Sequence, residues 1–282
     1  MDDTQTKRPA LQGESAEAAP RLLPSERLLR IRQLLEARGL MRVSELAQHF
    51  EVSEMTIRRD LAELEKSGAI EKTFGAAVLS EQAAFESSLK ERLHSHQAEK
   101  QAIARLAASL VHDGDSIAID ASTTGIALAR ELRQRPINVV TNGFDVAQAL
   151  RGGQASVLLV GGMLREHSAS LVGPLAMQAV GQLRLDRAFF SSKGLLLDGF
   201  VDSDLAEVDV KRAMLCSAAQ SIALLDSSKF GKRALGVITT LEAVDLLISD
   251  IGLAAAARRQ LEPLLCVRYA VPEPAADSGR EA

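Results

Sequence analysis

Apolar residues follow one spacing near the start of the chain and another in the remainder. In residues 25–79 they recur at intervals of three and four residues, the spacing of helices that bury one face. From about residue 113 to residue 270, short apolar runs alternate with helical patterns. Runs of this length between helices predict an α/β domain with a largely parallel sheet. We therefore expect two domains.

Residues 25–79 are predicted to form three short helices followed by a β-hairpin. Three serines are candidate N-caps for these helices: Ser25, Ser44 and Ser53. Gly68 is a candidate C-terminal glycine for the third helix. Residues 69–73 and 76–79 predict the two strands of the hairpin.

The α/β region, residues 113–270, contains seven predicted strands. They span residues 116–120, 137–141, 156–160, 187–192, 221–226, 244–249 and 266–270. Helices are predicted at residues 124–133 and 204–219. Residues 80–112 are expected to form a helical connector. Residues 1–24 are expected to be a disordered tail, and residues 271–282 a second tail.

The third predicted helix has one apolar face and one basic face. At about 100° per residue, Ile57, Leu61 and Leu64 share a narrow face, and Arg59 lies nearly opposite them. Three further residues lie on or beside this outward face: Met55, Thr56 and Arg58. Glu54 and Asp60 are expected to offset part of its charge.

A helix that packs on one side and exposes arginines on the other, after a second helix and a tight turn, is typical of a helix-turn-helix. Its second helix enters the DNA major groove. Arginine can bind guanine or a phosphate, and threonine can contact either base or backbone. The alternative is a solvated face on which each arginine pairs with a neighbouring glutamate.

The stretch VSELAQHFEVSEMTIRRDLAELEKSGAIEKTFGAA, residues 43–77, resembles the winged helix-turn-helix of the DeoR family of bacterial transcriptional regulators. The family usually has His-Gly-Gly-Ala at the tip of the wing, where this chain has Phe-Gly-Ala-Ala at residues 74–77. The resemblance implies a set of DNA-binding residues: Ser53, Met55, Thr56, Arg58, Arg59 and Gly75.

Polar residues follow several of the predicted strands. DASTT, residues 120–124, follows the first strand, and a helix is predicted to begin there. Ligands of open α/β sheets bind outside the carboxyl ends of the strands, and a helix N-terminus attracts anions. Three hydroxyl groups and Asp120, which could accept hydrogen bonds from a sugar, lie at this point. An ordinary Ser/Thr N-cap is the alternative.

Other predicted strands end in the same way. They are followed by Asn142, by Gly161 and Gly162, by Lys193, and by Lys229. Each of these stretches alone is equally typical of a turn. Together they predict one polar site that accepts an anion.

The same stretches resemble the DeoR family's C-terminal sensor domain. DASTT resembles its phosphate loop, and VVTN, LLVGG, LVGPLA, SSKG, EVDVKRAM and DSSKFG follow in the family's order. The resemblance implies a Rossmann-like α/β domain, related to ribose-5-phosphate isomerase and CoA-transferase folds, that binds a phosphorylated sugar. The implied effector-binding residues are Asp120, Ser122, Thr123, Thr124, Asn142, Gly162, Lys193, Glu207, Lys211 and Lys229. Ala121 and Gly143 stand where the family often has glycine and serine.

Composition narrows these possibilities. The 282 residues carry a net charge of −4, so any DNA contact must come from local placement of positive charge. The sequence shows no signal peptide and no transmembrane run, which predicts a cytoplasmic protein without membrane contact. Cys216 and Cys266 have no CxxC partners, which indicates reduced thiols and argues against a structural zinc site. No metal or cofactor is predicted.

The preferred interpretation is a transcriptional regulator, a repressor of a carbohydrate-metabolism operon, that a phosphorylated sugar releases from double-stranded operator DNA. It is expected to act as a homo-oligomer, either a dimer or a tetramer, and to have no catalytic residues. The alternative is an isomerase in which Asp120, Lys193 and Glu207 move protons. A nucleotide-binding regulator is disfavoured because the chain contains no GxxxxGK[ST] motif.

Overall fold

The computed structural model describes residues 24–38, 40–66, 70–73, 76–79 and 89–272. The chain divides into two compact units, residues 1–80 and 81–282. The predictions for residues 1–23 and 273–282, for the helix end at Gly68 and for Gly75 lie outside the described residues.

The N-terminal unit is a helix-turn-helix followed by a small sheet. Its elements are α1 (Pro24–Arg38), β1 (Met41–Arg42), α2 (Val43–His49), α3 (Glu54–Lys66), β2 (Ile70–Thr73) and β3 (Ala76–Leu79). The strands lie in the order β1-β3-β2 and all pair antiparallel. The predicted helices and hairpin are confirmed. The two-residue strand β1, which is too short to show a periodic pattern, was not predicted.

The helix starts test the three predicted caps. Ser25 is wrong as a cap, because α1 already includes Pro24 and so Ser25 lies within the helix. Ser53 is confirmed, because its Oγ accepts the Thr56 N–H at 3.2 Å. Ser44 is wrong as a cap, because α2 already begins at Val43 and Arg42 occupies the N-cap position. Pairing of β1 with β3 keeps the chain extended as far as Arg42, so the helix begins immediately after it.

One buried ion pair ties α1 to α3. Arg27 donates from Nε to Asp60 Oδ2 at 2.5 Å and from a terminal nitrogen to Oδ1 at 3.1 Å, and both residues are buried. Asp60 was expected to offset charge on the outward face of α3, and that expectation is wrong. Because Asp60 lies three residues after Ile57 and four before Leu64, helical geometry puts it on the inward face.

The C-terminal unit is built on a seven-stranded parallel sheet. Its strands are β4 (Ser116–Ile119), β5 (Asn138–Thr141), β6 (Ser156–Leu159), β9 (Leu185–Phe190), β12 (Ala218–Leu224), β14 (Leu246–Asp250) and β15 (Val267–Ala270). They lie in the order β15-β14-β12-β9-β4-β5-β6. All seven predicted strands are confirmed as members of this sheet.

Two smaller antiparallel sheets accompany it. One pairs β7 (Met163–Arg165) with β8 (Ser170–Val172). The other contains β10 (Gly194–Leu196), β11 (Gly199–Asp202) and β13 (Gly236–Thr239). These strands of three or four residues were not predicted, because a run that short does not establish a period of two.

Helices cover both faces of the parallel sheet. The described helices are α4 (Leu89–His94), α5 (Gln97–Ala108), α6 (Thr123–Leu132), α7 (Phe144–Leu150), α8 (Pro174–Gly181), α9 (Leu205–Ser217) and α10 (Ala255–Leu261). Apolar residues of α5, α6 and α7 pack on one face, and those of α8, α9 and α10 on the other. Parallel sheets need such double cover. No helix of the described residues could span a membrane.

We expect the ion pair between Arg27 and Asp60 to stabilise the N-terminal unit. Asp60→Asn should cost about 3 kcal/mol, because it leaves the Arg27 charge buried without its carboxylate. Hydrogen exchange of the full chain should then show faster exchange in α3 and no change in α9. Glu63→Gln is the control, since Glu63 is exposed on the same helix. Unaltered exchange in α3 of Asp60→Asn would contradict the expectation.

Candidate functional site

The outward face of α3 is a candidate DNA-binding surface. Met55 is 70% exposed, and Ser53, Arg58 and Arg59 are exposed as well. Thr56 is half-buried, and its Oγ1 lies 2.9 Å from Ser53 Oγ. The five described members of the predicted DNA-binding set therefore lie at the start of one helix.

The two arginines differ in their surroundings. Arg58 donates to Glu54 at 3.1 Å, four residues earlier, in a pair that is open to solvent. Such exposed pairs contribute little, so a phosphate could replace Glu54 as its partner. Among the described residues, no acid pairs with Arg59. Arg59 can therefore present its whole guanidinium to a base edge or a phosphate.

A pocket lies at the carboxyl edge of the parallel sheet. Its lining comes from the start of α6, the segments after β9 and β12, the end of β11, and helices α4, α5 and α9. The lining residues are Arg92, Lys100, Ala121, Ser122, Thr123, Thr124, Ser191, Ser192, Lys193, Asp202, Glu207, Lys211, Asp226 and Lys229. Its cavity volume is about 20 Å³, which is room for about one water molecule.

The N-terminus of α6 forms one wall of this pocket. Ser122 is its N-cap and accepts the Gly125 N–H at 2.9 Å, and the first helical hydrogen bond runs from Ile126 N–H to Ser122 C=O. The N–H groups of Thr123 and Thr124 precede that bond, so they are free of helical partners. A Cβ at Gly125 would lie 2.7 Å from the Asp120 carbonyl oxygen, so only glycine permits this tight entry.

A buried charge cluster supports the opposite wall. Lys211 Nζ donates to Asp202 Oδ2 at 2.6 Å and to the Ser191 carbonyl at 2.8 Å, and it lies 3.4 Å from Asp120 Oδ2. Burial alone would lower the pKa of Lys211, but Asp202, Asp120 and Glu207 together raise it. Lys211 therefore stays protonated, and Asp202, Asp120 and the Ser191 carbonyl hold it in place.

The pKa values of Asp120 and Asp202, the two aspartates beside Lys211, shift in opposite directions. Burial raises the pKa of Asp120, although Lys211 opposes the shift, and Asp120 Oδ1 has no hydrogen-bond partner among the described groups. Burial would also raise the pKa of Asp202, but Lys211 and Lys193 outweigh it and hold that pKa below its usual value. Asp202 is thus the main counter-charge of Lys211.

Lys193 also lines the pocket, but unlike Lys211 it is not paired with any carboxylate that the structure describes. No hydrogen bond or ion pair to a described residue holds its ammonium group. Burial, and next the nearby Arg92 cation, lower the pKa of Lys193 to about 7. A cation that is desolvated and lacks a carboxylate against it favours an anionic ligand.

Seven of the ten predicted effector residues line the pocket: Ser122, Thr123, Thr124, Lys193, Glu207, Lys211 and Lys229. Asp120, Asn142 and Gly162 do not line it. Asp120 lies behind the wall, where its Oδ2 accepts the Ser191 N–H at 2.9 Å.

Asn142 and Gly162 hold the β7–β8 hairpin instead. Asn142 Nδ2 donates to the Leu171 carbonyl at 3.2 Å, and the Leu171 N–H donates to the Asn142 carbonyl at 2.7 Å. A Cβ at Gly162 would lie 2.6 Å from the Val172 carbonyl oxygen. The hairpin in turn reaches the pocket, because Ser170 Oγ donates to Glu207 at 3.0 Å.

Arg92 and Lys100 line the pocket and were not predicted, because they lie in the segment that was expected to be a connector. Lys100 Nζ donates to the Ser95 and Arg92 carbonyls, and burial lowers the pKa of Lys100 to about 8. One signal was present in the sequence. Lys100 precedes Ala104 and Ala107 at helical spacing, so a lysine occupies the buried face of α5.

Asp202 and Asp226 were also missed. Asp226 was noted only as part of a strand end, yet it is buried and caps the short 3₁₀ turn Ser227–Lys229. Burial would raise the pKa of Asp226, but Lys229 and Ser228 hold it below its usual value. No group of residues suited to hold a metal ion occurs in the described part of the chain.

Both units match families of known proteins. Residues 95–251 match the DeoR C-terminal sensor domain, which is more than half of the chain, and residues 27–83 match the DeoR-like helix-turn-helix domain. The chain belongs to the DeoR family. It is a DNA-binding transcriptional regulator that joins a winged helix-turn-helix to an α/β sensor domain, as the sequence motifs predicted.

Several curated DeoR-family relatives span nearly the same length. The uncharacterised regulator YulB of Bacillus subtilis is 38% identical over 253 residues, which is 89% of this chain and 98% of YulB. A lactose phosphotransferase system repressor of Streptococcus mutans is 34% identical, and the match covers 80% of this chain and 91% of the repressor.

Solved structures show a weaker likeness. Ribose-5-phosphate isomerase A of Methanocaldococcus jannaschii gives a TM-score of 0.37 at 15% identity, covering 49% of this chain and 56% of its own. The eIF2B β subunit of Chaetomium thermophilum gives 0.39 at 17% identity, covering 54% of this chain and 48% of its own. At these values the likeness carries no functional information.

The lowered pKa of Lys193 predicts how stability changes with pH. Folded Lys193 loses its proton near pH 7, and an unfolded lysine does so near pH 10.4. Between these values the unfolded chain holds the extra proton, so the cost of charging Lys193 is full below pH 7 and fades as the pH rises. Lys193→Met should therefore be more stable than wild type by the largest margin at pH 6, and the margin should shrink by pH 9.

Thermal unfolding of both proteins from pH 6 to pH 9 measures this margin. Lys232→Met makes the same charge change at an exposed position and should show no such trend. A margin for Lys193→Met that is equal at every pH would mean that Lys193 is not desolvated in the folded protein.

Proposed function

We propose that this DeoR-family protein represses a carbohydrate-metabolism operon and that a phosphorylated sugar, bound in the pocket, releases it from operator DNA. The observation that carries the proposal is the meeting of cationic side chains with the N-terminus of α6. Five cations line the pocket: Arg92, Lys100, Lys193, Lys211 and Lys229. A helix N-terminus and fixed cations together are suited to a phosphate group.

The charge balance of the pocket agrees with a phosphate ligand. Five cations line the pocket, and four carboxylates lie at it when Asp120, which is 3.4 Å from Lys211, is counted with Asp202, Glu207 and Asp226, so one positive charge is in excess when every group is ionised. A phosphate monoester carries about −1.5 to −2 at pH 7. Its negative charge therefore offsets the positive excess, whereas an unphosphorylated sugar would leave that excess unbalanced.

The names of relatives support the carbohydrate assignment. They include the lactose phosphotransferase system repressor of Streptococcus mutans and the repressor GlcR of Bacillus subtilis, each 34% identical to this chain. The repressor AccR of Agrobacterium fabrum is 33% identical. The particular sugar of this chain follows from none of them.

The narrowness of the pocket suggests how binding is linked to DNA. At about 20 Å³ the pocket is narrow for a sugar phosphate, and we propose that the ligand selects an arrangement in which the pocket is wider. If the arrangement with the wider pocket positions the paired DNA-binding units less favourably for the operator, effector binding lowers operator affinity. The factor of the decrease is set by the ratio of the effector's affinities for the wide and narrow arrangements. Double-stranded DNA then weakens effector binding by the same factor.

We also propose that the protein acts in the cytoplasm as a homo-oligomer, because helix-turn-helix proteins bind paired half-sites as dimers.

In this proposal the C-terminal unit is a sensor and not an isomerase. In the isomerase alternative Asp120 would contact substrate, yet its carboxylate lies behind the pocket wall on Ser191 and Lys211. Turnover of ribose 5-phosphate by the purified protein would overturn this part of the proposal.

Arg59 is expected to contribute to operator binding. Arg59→Ala should weaken binding to operator DNA by about 1–3 kcal/mol if its guanidinium contacts a base. Arg38→Ala removes an exposed arginine from α1 and should have little effect. A fluorescence anisotropy titration measures both variants, and equal affinities for Arg59→Ala and wild type would remove Arg59 from the recognition surface.

Effector binding is tested with a panel of phosphorylated sugars, each paired with its free sugar. The true effector, at about 100 times its dissociation constant, should stabilise the protein by about 2.7 kcal/mol and release operator DNA. Its affinity should fall as the pH rises above 7, because a bound phosphate holds the proton on Lys193 that the free protein loses there.

In Lys193→Met, effector affinity should be lower and its fall above pH 7 should be smaller, with only the part due to Lys100 remaining, while operator binding persists. Lys232→Met should behave as wild type. Calorimetric titrations in two buffers of different protonation enthalpy measure the proton uptake. Stabilisation by none of the phosphorylated sugars would overturn the sensor assignment and leave the DNA-binding assignment in place.

A further inference from the structure

The two edges of the parallel sheet differ in how they are protected. Strand β6 is the last strand on one side, and β5 is its hydrogen-bonded neighbour among the described strands. The stretch from Ala155 to Gly162 contains no charged residue and no proline. Leu158, in the middle of β6, is 48% exposed. An apolar edge strand of this kind offers free N–H and C=O groups to another chain.

The opposite edge, β15, carries the features that prevent such pairing. Arg268 is an exposed charge on the strand itself. Tyr269 donates its hydroxyl to Glu262 at 2.9 Å, and the Arg258 guanidinium lies 4.3 Å from the centre of the Tyr269 ring. Charged side chains along an edge strand are a common protection against association. Only the β6 edge lacks them, so the two edges are not equivalent surfaces.

Further exposed apolar side chains lie around β6. Met163 is 73% exposed on β7, next to Leu164, and Leu175 is exposed at the start of α8. Register pairing of Met163 with Val172 brings β7 beside the segment that leads to Leu175. The N–H of Phe144, also exposed, donates to the Ala169 carbonyl at the turn of the same hairpin. We call Phe144, Leu158, Met163, Leu164 and Leu175 the edge patch.

We propose that a second copy of this chain binds at the edge patch, with β6 of the two copies paired antiparallel about a two-fold axis. This inference rests on the proposed function in one respect, because a regulator that reads paired half-sites needs a two-fold pair. An axis perpendicular to the sheet would run the two β6 strands antiparallel and join the two sheets into one.

A second copy suits this surface better than a different protein does. An interface about a two-fold axis brings each patch against an identical patch, so any charge would meet its own kind. Residues 155–162, which include β6, carry no charge, and therefore two copies of this strand can pair without repulsion. Strand pairing alone falls short of the roughly 800 Å² per partner of a standard interface. The exposed side chains of the hairpin and of α8 supply further apolar area.

The test measures the mass of the full-length chain by analytical ultracentrifugation at micromolar concentration. Wild type should sediment at twice the chain mass of 30.2 kDa or at a higher even multiple. Leu158→Lys and Met163→Lys should each halve that mass, with a dissociation constant at least about 100-fold higher. Both positions are exposed in the single chain, so each variant should fold with unaltered circular dichroism.

Leu264→Lys is the matched control, because Leu264 is 47% exposed and follows α10 beside the opposite edge. It should leave the mass unchanged. A wild-type chain that sediments at 30.2 kDa would overturn the proposal, and so would an unchanged mass in both Leu158→Lys and Met163→Lys. In either case stabilisation by a phosphorylated sugar could persist, so the sensor assignment is tested separately.

Cross-linking provides a second measurement that does not depend on weakening the assembly. In a chain with Cys216→Ser and Cys266→Ser, Leu158→Cys should form a covalent dimer with a short bis-maleimide, because antiparallel β6 strands bring the two copies of position 158 close together. Leu264→Cys in the same background should stay monomeric on a denaturing gel. Equal cross-linking of the two variants, or none at position 158, would contradict the pairing of β6.

Discussion

The parallel arrangement of seven strands is the constraint on which the C-terminal unit depends. Because every strand runs in one direction, the segments that follow β4, β9 and β12 all emerge at the same edge of the sheet. Each connection between parallel strands must cross a face of the sheet to reach the start of the next strand. These connections contain the helices that cover both faces, and α6 begins at the edge where β4 ends. The pocket is a consequence of this topology, and the polar side chains occupy positions that the sheet has already brought together.

Charge at that edge is organised in two layers. Lys211, Asp202 and Asp120 form an inner layer in which the Lys211 ammonium group pairs with both carboxylates. Lys193 stands in front of them and lacks a carboxylate bonded to it. A buried pair that is already neutralised gains little from a ligand, whereas a desolvated single cation gains a great deal. The inner layer therefore fixes the shape of the wall, and in the proposed function Lys193 gives the pocket its preference for anions.

The sequence predicted the large, periodic elements and failed where the pattern was short or the partner was distant. Seven apolar runs identified the sheet, and the helical spacing of Ile57, Leu61 and Leu64 identified the inward face of α3. The spacing of Asp60 from Ile57 and Leu64 puts it on the inward face, but its partner, Arg27, is 33 residues away, so no local pattern showed that a buried charge would be paired. Lys100 likewise occupies the buried face of its helix, but no local pattern placed it or Arg92 beside the strand ends. A motif at the end of a strand can be recognised from a few adjacent residues. Cations on another helix can be assigned to the same site only when the fold is known.

The division of α3 into two faces has a consequence for how this regulator can change during evolution. Ile57, Asp60, Leu61 and Leu64 are buried and hold the helix in the unit, whereas Met55 and Arg59 are exposed and make no contribution to that packing. If the outward residues contact DNA as we propose, mutations at these positions alter the DNA sequence that is recognised without lowering the stability of the fold. Under the proposed DNA contacts, the operator preference of this protein can therefore change, by evolution or by design, while the buried residues of α3 stay the same.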